Sequence, residues 1–105
     1  MAGGLSDLGR FSEPAVLILS SLAGGPKHGY AIEKDVEQFS GVRLEPGTLY
    51  GALARLESHG WIEPLPAEDR RRPYRLTGLG AQVLHARLER TQKITAVGLQ
   101  RLAGA

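Results

Sequence analysis

At 105 residues, 42% hydrophobic and 23% charged, the chain is the size of one small domain with an ordinary share of core-forming side chains, which argues against a two-domain enzyme and against a disordered chain. The absence of cysteine removes disulfides, thiolate zinc sites and cysteine nucleophiles together, and fits a reducing cytoplasmic setting. The net charge of +2 hides an asymmetry, because residues 1–68 hold five Lys/Arg against nine Asp/Glu and residues 69–105 hold eight against two.

Ten of the thirteen basic residues are arginines, which suit bidentate phosphate or guanine contacts, so a localised anion-binding surface is expected in the C-terminal third. The competing reading is a solvated basic face. Residues 1–10 are expected to form a flexible tail, beginning with the small-residue stretch Met1–Gly4. Ser12 is placed to cap a first helix that carries Pro14 in its first turn and runs to about Leu22, where Gly24, Gly25 and Pro26 stop it. Its run Ala15–Leu19 is the longest apolar stretch, far short of the roughly 20 residues of a membrane span. Asp7, Glu13 and Pro14 stand where a secretory signal needs other residues, so mature sequence with no membrane segment is expected. That run is apolar around most of its circumference and needs cover on more than one side.

A second helix is expected from near His28 to just before Gly41, with Ile32, Val36 and Phe39 as its core stripe. A third starts near Pro46 and ends at Gly60, with Leu49, Leu53 and Leu56 pointing inward. The period then changes. Trp61–Leu65 and Arg72–Leu76 read as two short strands of a hairpin joined by a polar loop, with Pro64 confining its strand to a sheet edge and Tyr74 and Leu76 facing the core. From Thr77, an N-cap, a long helix is expected to reach about Leu102, roughly 37 Å at 1.5 Å per residue. Its apolar positions fall on two stripes, Leu79, Val83, Ala86, Ile94 and Val97 on one and Leu84, Leu88, Leu99 and Leu102 on the other. One stripe belongs to its own domain; the second is assigned to a partner subunit, making Leu84, Leu88, Leu99 and Leu102 the dimerisation residues.

The fold class is therefore mainly α with a small β-hairpin: a winged helix-turn-helix over residues 11–77 followed by a C-terminal dimerisation helix over 78–105. In that architecture the third helix enters the DNA major groove and the wing lies beside the phosphates. With its leucines inward, the third helix presents Gly47, Thr48, Gly51, Ala54, Arg55 and Ser58, a face of small residues around one arginine that has no acidic residue three or four positions away on its helix. Arg55 is the candidate base contact, the competing reading being a solvated surface charge. Arg70, Arg71 and Arg72 in the wing are the candidate phosphate contacts, unless Glu68 and Asp69 neutralise them.

The segments His28-Gly29-Tyr30-Ala31-Ile32, Gly47-Thr48-Leu49-Tyr50, Arg55-Leu56-Glu57, Gly60 and Arg72-Pro73-Tyr74-Arg75-Leu76-Thr77 resemble the PadR-like transcriptional regulators in both identity and spacing, over residues 11 to about 80. The resemblance implies a winged-helix dimer, usually a repressor, that binds a pseudo-palindromic operator and is released by a small phenolic, drug-like or other effector. The single C-terminal helix looks like the compact branch of the family. It also implies that Tyr30, Thr48 and Tyr50 lie toward the DNA backbone. Gly51 departs from the family pattern, in which proline commonly follows the tyrosine, and leaves the start of the recognition helix less constrained.

The expected partners are double-stranded DNA, a second copy of the chain and a small aromatic effector, with no cofactor, metal or membrane and a cytoplasmic location. Gly24–Gly29 lacks the GxxxxGK[ST] spacing of a phosphate loop and reads as a helix-connecting turn. His28, His59 and His85 are too scattered for a local metal motif, and Ser20 and Ser21 lack a nucleophile elbow. Trp61 reads as an anchor between wing and helices or, more sharply, as a stacking surface for the effector. A different class of function, a winged helix that binds a protein partner with its arginines solvated, is the alternative, and steep salt dependence of duplex binding separates the two.

Overall fold

The computed structural model describes residues 4–104, and the expectation for residues 1–3 lies outside them. In chain order it contains a 3₁₀ segment at Leu5–Phe11, α1 (Ser12–Ala23), β1 (Lys27–His28), α2 (Gly29–Ser40), α3 (Pro46–Ser58), β2 (Ile62–Pro64), β3 (Pro73–Leu76) and α4 (Gly78–Ala103). Three helices followed by a hairpin form the winged helix-turn-helix, and α4 leads away from it.

The core lies where α1, α2 and α3 meet over the sheet. Ile18, Leu19, Ile32, Val36, Leu49, Leu53 and Leu56 are fully enclosed there, at the helical spacings read from the sequence. A part-buried polar link ties the first two helices: the Ser21 hydroxyl donates to Asp35 at 2.7 Å, and Lys27 reaches both the Ser21 carbonyl and, at 3.9 Å, the Asp35 carboxylate.

Four details differ from the sequence reading. Residues 5–10 are not a loose tail, since the 3₁₀ segment seats Leu5, only 3% exposed, in the core. Ser12 continues that segment in helical conformation, so α1 starts without the expected cap. Phe39 is 51% exposed, because α2 has already turned its stripe past the core when it reaches its last turn, leaving Ile32 and Val36 to do the packing. The turn before α2 contains a strand: β1 pairs antiparallel with β3, Lys27 opposite Tyr74 and His28 opposite Pro73, so the sheet has three strands in the order β1-β3-β2. Two residues are too few to show a period. As Pro64 requires, β2 is an edge strand, with Ile62 opposite Leu76 and Glu63 opposite Arg75.

The long helix is anchored at one tight joint. The Thr77 side chain caps α4 by accepting from the Gly80 amide at 3.0 Å and donates to the Gly60 carbonyl at 2.7 Å, while its own amide donates to the Trp61 carbonyl at 3.0 Å. Gly80 is buried against that same carbonyl, and a Cβ there would sit 2.0 Å from the Trp61 oxygen. Only glycine fits. Leu84, one turn further on, is buried in the core of its own chain and is therefore not an interface residue, whereas Leu88, Ile94, Val97, Leu99 and Leu102 are exposed. Neither stripe keeps to one partner: Gly80, Val83 and Leu84 pack on the domain, whereas Leu79 and Ala86 of the stripe expected to face it are exposed, and the turns from Leu88 on extend beyond it.

Gly80→Ala must push α4 off β2 and should lower stability by about 2–4 kcal/mol, a fall of at least about 10 °C in Tm for a domain of this size. Gly78→Ala, where an added Cβ meets nothing within 4 Å, should be neutral or slightly stabilising. Equal Tm values for the two variants would contradict the tight joint.

Candidate nucleic-acid interface

The recognition helix α3 begins at Pro46, whose missing amide hydrogen is harmless in a first turn. Burial of Leu49, Ala52, Leu53 and Leu56 fixes its rotation. The opposite face is then open: Gly47, Ala54, Arg55 and Ser58 are exposed, and Thr48 and Gly51 are half-buried. The backbone of this face is unobstructed by large side chains except Arg55, the geometry a helix needs to approach base edges. The Ser58 hydroxyl is turned back onto the Arg55 carbonyl at 2.8 Å, which favours a structural part for it in closing the helix.

Tyr50 projects from α3 toward the start of α2, where a Cβ on Gly29 would lie 2.9 Å from its hydroxyl oxygen. Gly29 thus permits the close crossing of the helix-turn-helix, a requirement the sequence did not announce. Tyr30 stands on the adjacent turn with Lys34 5.4 Å from the centre of its ring, a cation-π contact, and both tyrosines are exposed.

The wing completes the surface. Its tip is a two-residue turn in which Glu68 and Arg71 exchange both backbone hydrogen bonds, at 2.7 and 2.8 Å, around Asp69 and Arg70. Both central residues have positive φ, 48° and 67°, the conformation of a tight hairpin turn that matches the strand twist. Asp tolerates it and Arg does so at a cost, so Arg70 is held at the tip by the turn around it. Arg72 donates to the Leu65 carbonyl at 3.1 Å and so braces the loop, and Arg75 pairs across the strands with Glu63. Arg71 reaches His28 at 3.4 Å. Among the described residues, no ion pair within 4 Å joins Glu68 or Asp69 to the arginine triplet, so the neutralisation reading finds no support.

Residues singled out in three separate stretches converge here. Tyr30, Tyr50, Arg70, Arg71 and Arg72 line one hollow of about 250 Å³ together with His28, Gly29 and Tyr74. Burial, then the Glu57 carboxylate, raises the pKa of the Tyr74 phenol above its ordinary value, with Arg72 opposing, so this phenol is a neutral hydrogen-bonding group in the hollow. Thr48, Arg55 and Ser58 are not part of that lining and lie along α3. Trp61 is on another side of the molecule: it is buried, stacks on His59 with ring centres 4.4 Å apart, and helps to line a groove of about 620 Å³ between the 3₁₀ segment and α4. Among the described residues no cluster of three or more metal-ligating side chains occurs, and no helix is long and apolar enough to cross a membrane.

The model of the transcriptional regulator PadR-like family matches residues 18–86, which include α2, α3 and the whole wing. A transcriptional regulator from Clostridium thermocellum shares the fold with a TM-score of 0.75 and 31% identity, covering 90% of this chain and 96% of that one. A PadR family transcription regulator from Clostridium difficile gives a TM-score of 0.75 at 32% identity, covering 84% and 96%. An uncharacterised 37.1 kDa protein of a Streptomyces fradiae transposon is 51% identical over 75 residues, 71% of this chain but only 22% of the relative, so the chain spans about a fifth of that curated protein. With the hairpin beside an open-faced recognition helix, and with the family match running through both, the chain has a winged-helix fold and belongs to the transcriptional regulator PadR-like family.

Proposed function

We propose that the chain is a homodimeric repressor that occupies a pseudo-palindromic operator, with α3 in the major groove, the wing on the flanking phosphates and α4 as the dimerisation arm. The observation that carries this reading is the single hollow that gathers Tyr30, Tyr50 and Arg70–Arg72 beside the exposed face of α3. Support for the dimer comes from α4, whose distal turns expose Leu88, Leu99 and Leu102, the last 75% exposed. A two-fold pair would place two recognition helices on half-sites one helical turn apart.

The groove beside Trp61 supports the effector part of the reading. Leu5, Trp61, Leu79 and Val83 are among its lining, which suits a small aromatic molecule. A ligand there would press on the joint between α4 and the wing, and thus on the spacing of the half-sites.

Light scattering at micromolar concentration should give the mass of two chains, and Leu88→Glu with Leu99→Glu should shift it toward one; a monomeric parent would overturn the assembly. The arginines should separate by role on the operator, selected from random duplexes, and on a scrambled duplex. Arg55→Ala should cost about 1–3 kcal/mol on the operator and much less on scrambled DNA. Replacing Arg70, Arg71 and Arg72 with alanine should weaken both duplexes and flatten the salt dependence by about one unit per lost phosphate contact. Because Arg72 also braces Leu65, the triple variant is compared with Arg72→Ala alone. An unchanged affinity and slope for the triple variant would remove the wing from the interface. Effector binding should change Trp61 fluorescence and lower operator affinity, and a broad aromatic screen that produces neither effect would remove that part of the reading.

A further inference from the structure

His28, at the junction of β1 and α2, is faced on both ring nitrogens by groups that only donate hydrogen bonds. Its Nδ1 lies 3.4 Å from the Ala31 amide nitrogen, for which it is the N-cap acceptor of α2. Its Nε2 lies 3.4 Å from Arg71 Nη1 on the wing. A neutral imidazole has one donor nitrogen and one acceptor nitrogen, and a backbone amide and a guanidinium offer hydrogens only. The ring therefore cannot accept from both neighbours. With Nδ1 as the N-cap acceptor of α2, the ring hydrogen is on Nε2, the nitrogen that faces Arg71. Two donors on separate elements then converge, close enough for one anionic oxygen set to the side of the pair to accept from both.

We propose that His28 and Arg71 together grip one phosphate of the DNA backbone, with the His28 Nε2–H as one of the two donors. The proposal rests on the DNA-binding reading and adds to it a contact residue and the pairing of that residue with a particular wing arginine. The surroundings suit a phosphate. Tyr30, Tyr50, Arg70, Arg72 and Tyr74 line the same hollow, so phenol hydroxyls and guanidinium groups flank the two donors. Glu68 and Asp69 line a second hollow of about 510 Å³ together with His28, Arg71 and Pro73. Their carboxylates are the competing acceptors, yet among the described residues neither pairs with Arg71 within 4 Å. The 3.4 Å separations are long for hydrogen bonds, as expected for a ring that stands between two donors.

His28→Asn separates the binding role from the structural one, because asparagine is a strong N-cap but its amide does not extend to the position of Nε2. On a 30-base-pair random-sequence duplex at low salt, His28→Asn should keep the parent Tm and weaken binding about fivefold, and Arg71→Ala should weaken it by a similar factor. Because both hold one phosphate, the double variant should fall short of the product of the two losses by about threefold or more. A long-range nitrogen-proton spectrum of the free protein should show His28 with its hydrogen on Nε2, and that nitrogen should shift when the duplex is added. Parent-like binding by His28→Asn, strictly multiplicative losses, or a hydrogen on Nδ1 in the free protein would each overturn the grip. A parent that binds no duplex at all would remove the DNA-binding reading along with it.

Discussion

The arrangement of the whole molecule depends on the contact between Gly80 and the Trp61 carbonyl, closed on either side by Thr77. Four elements end or begin within a few residues of it: α3 through Gly60, β2 through Trp61, β3 through Leu76, and α4. Thr77 holds three of them with one side chain and one amide, and Gly80 brings the helix axis to the strand without a side chain between. Because nothing flexible separates the hairpin from α4, the direction in which the arm leaves the domain is set by the same bonds that seat the wing. A lever of 26 residues, about 39 Å long at 1.5 Å per residue, converts a small tilt at this joint into a displacement of several ångströms at its far end. In a two-fold dimer that displacement would alter the separation of the recognition helices, which is the quantity an operator reads through its half-site spacing.

The wing distributes its charge unevenly, and the reason is geometric. Arg72 and Arg75 are spent within the hairpin, on the Leu65 carbonyl and on Glu63, and they keep a short, edge-stranded sheet in register. Arg70 and Arg71 occupy the tip, one in a left-handed conformation that the turn imposes and the other against His28. A run of three arginines in sequence thus becomes one brace and two outward groups. The tyrosines take complementary positions: Tyr30 and Tyr50 are exposed at the rim, and Tyr74, partly buried behind them, joins the wing to the core.

Much of this was legible in the sequence because the helices obey the 3.6-residue period. Leu49, Leu53 and Leu56 turned the open face of α3 outward as their spacing required, and Thr77 and Pro64 marked a helix start and a sheet edge through chemistry that tolerates few other positions. The misreadings have physical causes as well. Leu5 was hidden in a stretch of small and polar residues whose burial depends on a tertiary surface and not on a local period. Phe39 sat at a correct helical spacing, but the core ended before the helix did. Leu84 was assigned to the wrong partner because a projection around the helix axis carries no information on where along that axis the domain stops. Strand β1, of two residues, exists only because β3 offers it an edge. The pairing of His28 with Arg71, 43 residues apart, is a product of that same strand pairing and has no sequence signature.

The most direct test of the central claim is amide hydrogen exchange of the parent chain with and without saturating operator duplex. If α3 and the wing form the DNA surface, protection should rise most in residues 66–72 and at the starts of α2 and α3. A wing tip that exchanges equally fast with and without duplex, or protection confined to the distal turns of α4, would contradict it.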